Sequence, residues 1–161
     1  MKQILKWSGI ALVGALVVMQ FFRPDMSNPE SEPTRSIWSD SAVPSAVRQI
    51  LTRSCIDCHS YQTDWPWYSH VAPVSWLVAG DVRDGRKHVN LSLWMEYPQR
   101  RKMKIMREIV EETTGGEMPL GIYTLMHPSA RLSPDDLKAL KSWSTRAGPE
   151  GSEAEKENTS E

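Results

Sequence analysis

Cysteine is scarce in this chain, with two in 161 residues. That count excludes a small fold held together by a disulfide framework. Phenylalanine is just as scarce, two against seven tryptophans. Indoles therefore carry the aromatic mass. Each offers a wide apolar face and an N–H donor, which suits either a tryptophan-rich core or a pocket around a large ligand with a polar edge. Charge of one sign is missing too. The formal net charge is −1, from 19 Lys+Arg and 20 Asp+Glu, without the basic excess that a nucleic-acid partner usually demands. No internal repeat is present, and the period-2 alternation of half-buried strands is nearly absent. With 40% hydrophobic and 24% charged residues, the chain is neither collagen, coiled coil nor wholly disordered. Its length suits one domain with appendages.

The one long apolar run lies at the N-terminus. Lys2 and Lys6 precede a stretch from Ile10 to Met19 with nothing more polar than Gly14, the pattern of an export signal. No small-residue cleavage site follows. Instead the run meets Gln20, Phe21, Phe22, Arg23 and Pro24. Residues 1–22 therefore read as an uncleaved signal anchor just long enough to span a bilayer. The leading lysines place the N-terminus in the cytoplasm and the rest on the periplasmic side of the inner membrane. Residues 23–42, with three prolines and many small polar residues, read as a flexible linker. Residues 147–161 hold five glutamates, one lysine and no large apolar residue, and are expected to be a disordered acidic tail. The remaining span, 43–146, is slightly basic and reads as the functional domain.

That span is predicted to be all-α. Val47, Ile50 and Leu51 mark a short amphipathic helix ending near Cys55. Pro73 to about Gly80 is a second helix with proline in its first turn. A third starts at Pro98 and gathers Met103, Ile105, Met106, Ile109 and Val110 on one arc, opposite Arg100, Arg101, Lys104 and Arg107. It stops at Thr113-Thr114-Gly115-Gly116. A fourth opens with Ser133, Pro134 and Asp136 as a variant capping box, followed by the stripe Leu137, Leu140, Trp143. The basic run around Arg100–Lys104 reads as the solvated face of the third helix. Docking of an acidic redox partner or of anionic lipid is the sharper alternative.

Both cysteines fall in Cys55-Ile56-Asp57-Cys58-His59, the spacing of covalent c-type haem attachment. At the end of a helical turn, two thiols three residues apart face one side and can each add to a porphyrin vinyl group. The next residue's imidazole then reaches the iron. Three other readings compete. A thioredoxin-like dithiol needs a helix N-terminus to lower a thiol pKa, and this motif follows a helix. A zinc site needs about four ligands, and His70, His88 and His127 lie at no finger-like spacing. A structural disulfide is possible outside the cytoplasm. The co-occurrence of His59 with an export signal favours haem. For the second axial position Met118 stands out, because Gly115-Gly116-Glu117-Met118-Pro119 is a loop free to approach a haem plane. His127, His70, His88 and an open position are the alternatives.

The chain resembles small single-haem c-type cytochromes and, more closely, the bacterial haem-binding-domain family. The resemblance rests on Cys55-Ile56-Asp57-Cys58-His59-Ser60, Thr63-Asp64-Trp65-Pro66-Trp67-Tyr68-Ser69 and Ala72-Pro73-Val74-Ser75-Trp76-Leu77. It continues with Asp81-Val82-Arg83-Asp84-Gly85-Arg86, Asn90-Leu91-Ser92-Leu93-Trp94, Met118-Pro119-Leu120-Gly121-Ile122-Tyr123 and His127-Pro128. It implies a cytochrome-c-like helical domain around one covalent haem c, with Cys55 and Cys58 as thioether points, His59 as proximal ligand and Met118 as distal ligand. It also implies that the Pro73 carbonyl accepts the His59 Nδ1–H. Trp65, Trp67, Tyr68, Trp76 and Trp94 would line the haem pocket, and Arg83 and Arg86 would pair with the propionates. The function expected is single-electron transfer with a redox protein, with no small-molecule substrate. A haem-based sensor or a peroxidase-like enzyme is the alternative.

Overall fold

The computed structural model describes residues 1–146; the acidic tail lies outside the described residues. Seven α-helices follow one another, with 3₁₀ turns between them and no strand among the described residues. They are α1 (Lys2–Met19), α2 (Ser45–Ser54), α3 (Ile56–His59), α4 (Val74–His88), α5 (Gln99–Gly115), α6 (Gly121–Met126) and α7 (Pro134–Arg146). The domain is all-α.

Helix α1 is apolar beyond its first two turns and buries none of its residues. Its 18 residues are long and apolar enough to cross a membrane, rising about 27 Å at 1.5 Å per residue.

The core gathers Val47, Ile50 and Leu51 of α2, Ile105 and Met106 of α5, and Leu140 and Trp143 of α7, together with Leu91 and Trp94 from the 3₁₀ segment Leu91–Glu96. Helix α7 packs on α5 and α2. The stripes on α2, α5 and α7 supply these core residues, because each puts apolar side chains on one face at helical spacing. The α7 cap is also as expected: Ser133 N–H and Oγ donate to Asp136 Oδ2 at 2.7 and 2.8 Å, and Asp136 N–H returns a 3.2 Å bond to Ser133 Oγ. At the other end of α5, Gly116 takes φ +80°, a left-handed cap that glycine adopts without a Cβ penalty.

Two expectations change. Helix α4 does not stop near Gly80 but runs on through Gly85 to His88, since each glycine inside a helix costs only about 1 kcal/mol. The segment expected to be a flexible linker is folded onto the domain over much of its length. Ile37 is fully buried in the core and Ser36 nearly so. Two 3₁₀ turns, Pro33–Arg35 and Ile37–Ser39, are held by Ser36 Oγ donating to Pro33 O (2.6 Å) and Ser39 Oγ donating to Ser36 O (2.8 Å). Trp38 Nε1 donates to Thr52 Oγ1 at 2.8 Å, Arg35 pairs with Glu96, and Asp40 Oδ2 accepts from both Trp94 Nε1 (2.8 Å) and Lys102 Nζ (3.3 Å). The proline and serine content that suggested a tether instead serves tight turns whose hydroxyls cap their own backbone. A lone Ile-Trp pair was too little periodicity to show that the segment enters the core.

Candidate functional site

The Cys-x-x-Cys-His segment occupies the corner where α2 ends and the one-turn α3 begins. Cys55 closes α2, its N–H donating to Leu51 O at 2.9 Å, while His59 N–H donates to Cys55 O at 2.9 Å. Cys55, Cys58 and His59 are thereby drawn into a single helical turn. Neither cysteine is in a disulfide, and both are half-buried. Burial, reinforced by neighbouring Cys58, pushes the Cys55 thiol up to about 12. Burial, together with Asp57 and Asp81, pushes Cys58 up to about 11. Both stay protonated at neutral pH, the opposite of the depressed thiol of a dithiol oxidoreductase. Nor is there, among the described residues, any group of three or more His, Cys, Asp or Glu arranged to hold a metal ion, so the zinc reading finds no ligand set.

His59 is aimed by α4. Its Nδ1 lies 3.0 Å from Gly85 O and 3.2 Å from Val89 O. Two carbonyls can only accept, so Nδ1 carries the proton and the Nε2 lone pair is left for a ligand. Burial lowers the imidazole pKa, favouring the neutral ring that metal ligation requires. The acceptor expected from the resemblance, Pro73 O, instead receives Trp76 N–H at 3.1 Å. Pro73 sits at the N-terminal end of α4, and the carbonyls that meet His59 lie at the C-terminal end, where Gly85 O also accepts Val89 N–H at 2.9 Å and offers its second lone pair to the imidazole.

Gly85 makes this approach possible. A Cβ there would stand 2.6 Å from the carbonyl oxygen of Cys58 and 3.3 Å from its Cβ. From the sequence this helix ends near Gly80, so nothing there signals that Gly85 is a helical glycine at a close approach.

The loop after His59 is tied down residue by residue. Ser60 Oγ donates to Ile56 O (2.7 Å), Thr63 Oγ1 to Asp57 O (2.6 Å), and Ser92 Oγ accepts from Tyr61 N–H (2.9 Å). Arg86 is committed here rather than to a ligand carboxylate. Its Nε donates to Ser60 O at 2.7 Å, and Nη2 donates to Thr63 Oγ1 at 2.8 Å and Asn28 Oδ1 at 2.6 Å. Its Nη1 reaches Ser27 O at 3.2 Å, and its plane lies over Tyr61. Arg83 is exposed on α4 and pairs with Asp84, a solvated helix face.

The aromatic set divides. Trp94 is 1% exposed and belongs to the core, packed against Trp143 at 6.0 Å, with Nε1 satisfied by Asp40. Trp76 is on the far side of α4 from Gly85, nine residues being half a turn at 100° each, and donates Nε1 to Phe22 O at 2.6 Å. Trp67 is 74% exposed. Trp65 has a buried Nε1 with no partner in the protein. Leaving that donor unpaired costs about 1–3 kcal/mol, and a porphyrin carboxylate is the kind of acceptor it lacks. Free protonated thiols, an imidazole with its outer nitrogen open and this orphaned donor together fit a haem.

On the other flank stands α6. Tyr123 OH donates to Asp57 Oδ2 at 2.6 Å, inside the motif. Its ring stacks on His127 at 4.3 Å, and His127 Nδ1 lies 3.4 Å from Tyr68 OH. This cluster was not foreseen, because Asp57 occupies a position the motif leaves free. Met118 is half-buried just beyond the glycine cap of α5, five residues before Tyr123, so its loop leads into the helix that touches the motif. His70 and His88 are exposed.

No curated protein and no solved structure matches the chain. Residues 14–146 match the family model of the haem-binding domain, a stretch that begins inside α1 and takes in the packed lead segment, the motif and all the helices that aim it. By that match, over well more than half its length, the chain belongs to the haem-binding-domain family.

Proposed function

We propose that the protein is a membrane-anchored c-type cytochrome that carries single electrons between redox proteins on the periplasmic side of the inner membrane. The observation that carries this reading is His59. Its Nδ1 is held by two backbone carbonyls beside two free, protonated thiols, with Nε2 left for iron. Haem, when bound, supplies an iron that cycles between ferrous and ferric states. Cys55 and Cys58 would hold it through thioethers. His59 and Met118 would be the ligands of its iron, a pairing that would raise the potential. Trp65 Nε1 would donate to one of its carboxylates. The exported location follows from reading α1 as a signal anchor.

A second reading, a haem sensor or a peroxidase-like site with an open iron position, draws on the Tyr68–His127–Tyr123 cluster beside the motif. Co-expression of the full chain with a cytochrome c maturation system separates the two. The expected result is haem that stays on the chain in a denaturing gel, loses one attachment in Cys58→Ala, and gives a low-spin spectrum that turns high-spin in Met118→Ala. Absence of covalent haem in the wild type would overturn covalent attachment. A wild-type protein that binds carbon monoxide readily, with a spectrum indifferent to Met118→Ala, would establish the second reading.

A further inference from the structure

The end of α1 is stitched to the start of α4. Gln20, the residue that follows the helix, makes a two-way amide pair with Ala72: Nε2 donates to Ala72 O at 3.1 Å and Oε1 accepts from Ala72 N–H at 3.0 Å. Two residues on, Phe22 O accepts from Trp76 Nε1 at 2.6 Å. Residues 72–76 are therefore held within about one helical turn of the end of the apolar helix.

Several large side chains around this junction are apolar and exposed, beside Arg23 and His70. Phe21 and Phe22 are 81% and 66% exposed, and Val71, Trp76 and Leu77 lie between 40% and 49%. A soluble domain has no use for five large exposed apolar groups in one place. Aromatic rings with one polar contact are what a protein places at the headgroup level of a bilayer, and Trp76 has that form, its N–H bonded to backbone and its ring partly bare.

We propose that Val71, Trp76 and Leu77 rest on the lipid headgroup layer beside Phe21 and Phe22, so that the folded domain completes the aromatic belt of its own anchor. The occupant of this face is the bilayer, because the chain that leaves the bilayer is bonded to it. Gly85 lies nine residues further along α4, about 13 Å in rise and half a turn away. The haem motif therefore faces away from the lipid-bearing side of that helix. The inference rests on reading α1 as membrane-spanning.

Full-length, haem-loaded protein carrying 5-fluorotryptophan, in phosphatidylcholine nanodiscs with and without 5-doxyl lipid, tests this by fluorine NMR in the ferric state. Single Trp→Phe variants assign the resonances. Should Trp76→Phe not fold, its signal is the one left after the other six are assigned. The expected result is several-fold broadening by the spin label at Trp7 and at Trp76, with core Trp94 unaffected. Broadening at Trp7 while Trp76 stays as sharp as Trp94 would overturn the proposal and leave the anchor standing. Sharp signals at both Trp7 and Trp76 would remove the anchor reading, and the proposal with it.

Discussion

Gly85 and Cys58 meet backbone to backbone, with room for a hydrogen and none for a methyl group. Two rules then disagree about Gly85→Ala. Helix propensity alone predicts a gain of about 1 kcal/mol. Overpacking against a carbonyl that cannot rotate aside costs about 1–3 kcal/mol. The contact should win, because it displaces the turn that carries both thiols. The expected outcome is a lower Tm and, under the proposed function, less covalently bound haem than wild type, whereas Gly80→Ala, which meets only the end of the Arg83 side chain, should be neutral or stabilising. Thermal denaturation of the two variants side by side, with haem staining, checks it.

Arg86 links the post-motif loop to the lead segment through four hydrogen bonds. Arg86→Lys keeps the charge but cannot span those acceptors with one ammonium. Amide hydrogen exchange over residues 25–31 and 60–64 should rise in Arg86→Lys, and limited proteolysis should cut near Ser27 first.

Asp40→Ala removes the acceptor of the buried Trp94 Nε1, and an indole N–H left without a partner should cost about 1–3 kcal/mol. Urea denaturation measures it.

Acid should act on the same contact. Burial by itself would raise the Asp40 carboxyl, but Trp94 Nε1, the Ala42 N–H and Lys102 outweigh it and hold the carboxyl below its ordinary range. Asp136 follows the same logic, with burial opposed by Ser133 and Arg53. A carboxyl depressed on folding takes up its proton more readily in the unfolded chain. The stability it contributes is therefore full above about pH 4 and is lost as pH falls through the folded-state value. Denaturation midpoints should fall below pH 4 in the wild type, and fall less steeply in Asp40→Asn.

Ser133→Ala opens the α7 cap, with an expected loss of about 1 kcal/mol, readable as a lower Tm with an unchanged haem spectrum.

Much of this was legible in the residues. The stripes of α2, α5 and α7, the Ser133–Asp136 cap and the Cys55–His59 turn are local patterns, set by spacing along a helix. What was not legible is what long-range packing decides. Pro73 was expected behind His59 by resemblance, yet the carbonyls come from the C-terminal end of α4, whose length past Gly80 a single glycine concealed. Trp94 and Trp65 look alike in sequence. Only the fold distinguishes a tryptophan satisfied by Asp40 in the core from one whose N–H has no partner. Arg86 was expected to pair with a propionate, yet two of its four acceptors are backbone carbonyls, which no side-chain pattern announces.

A free segment of twenty residues, such as 23–42 was expected to be, would let a domain roam about 25 Å from its anchor. Here that slack is taken up at Gln20, Asn28, Arg35, Ile37 and Asp40. A protein built this way cannot fish for its partner. Under the proposed function the electron's route is set by geometry: the partner must come to the motif face by diffusion or lie beside it in the plane of the same membrane, and lengthening the lead segment would change encounter rates only after those fastenings were cut.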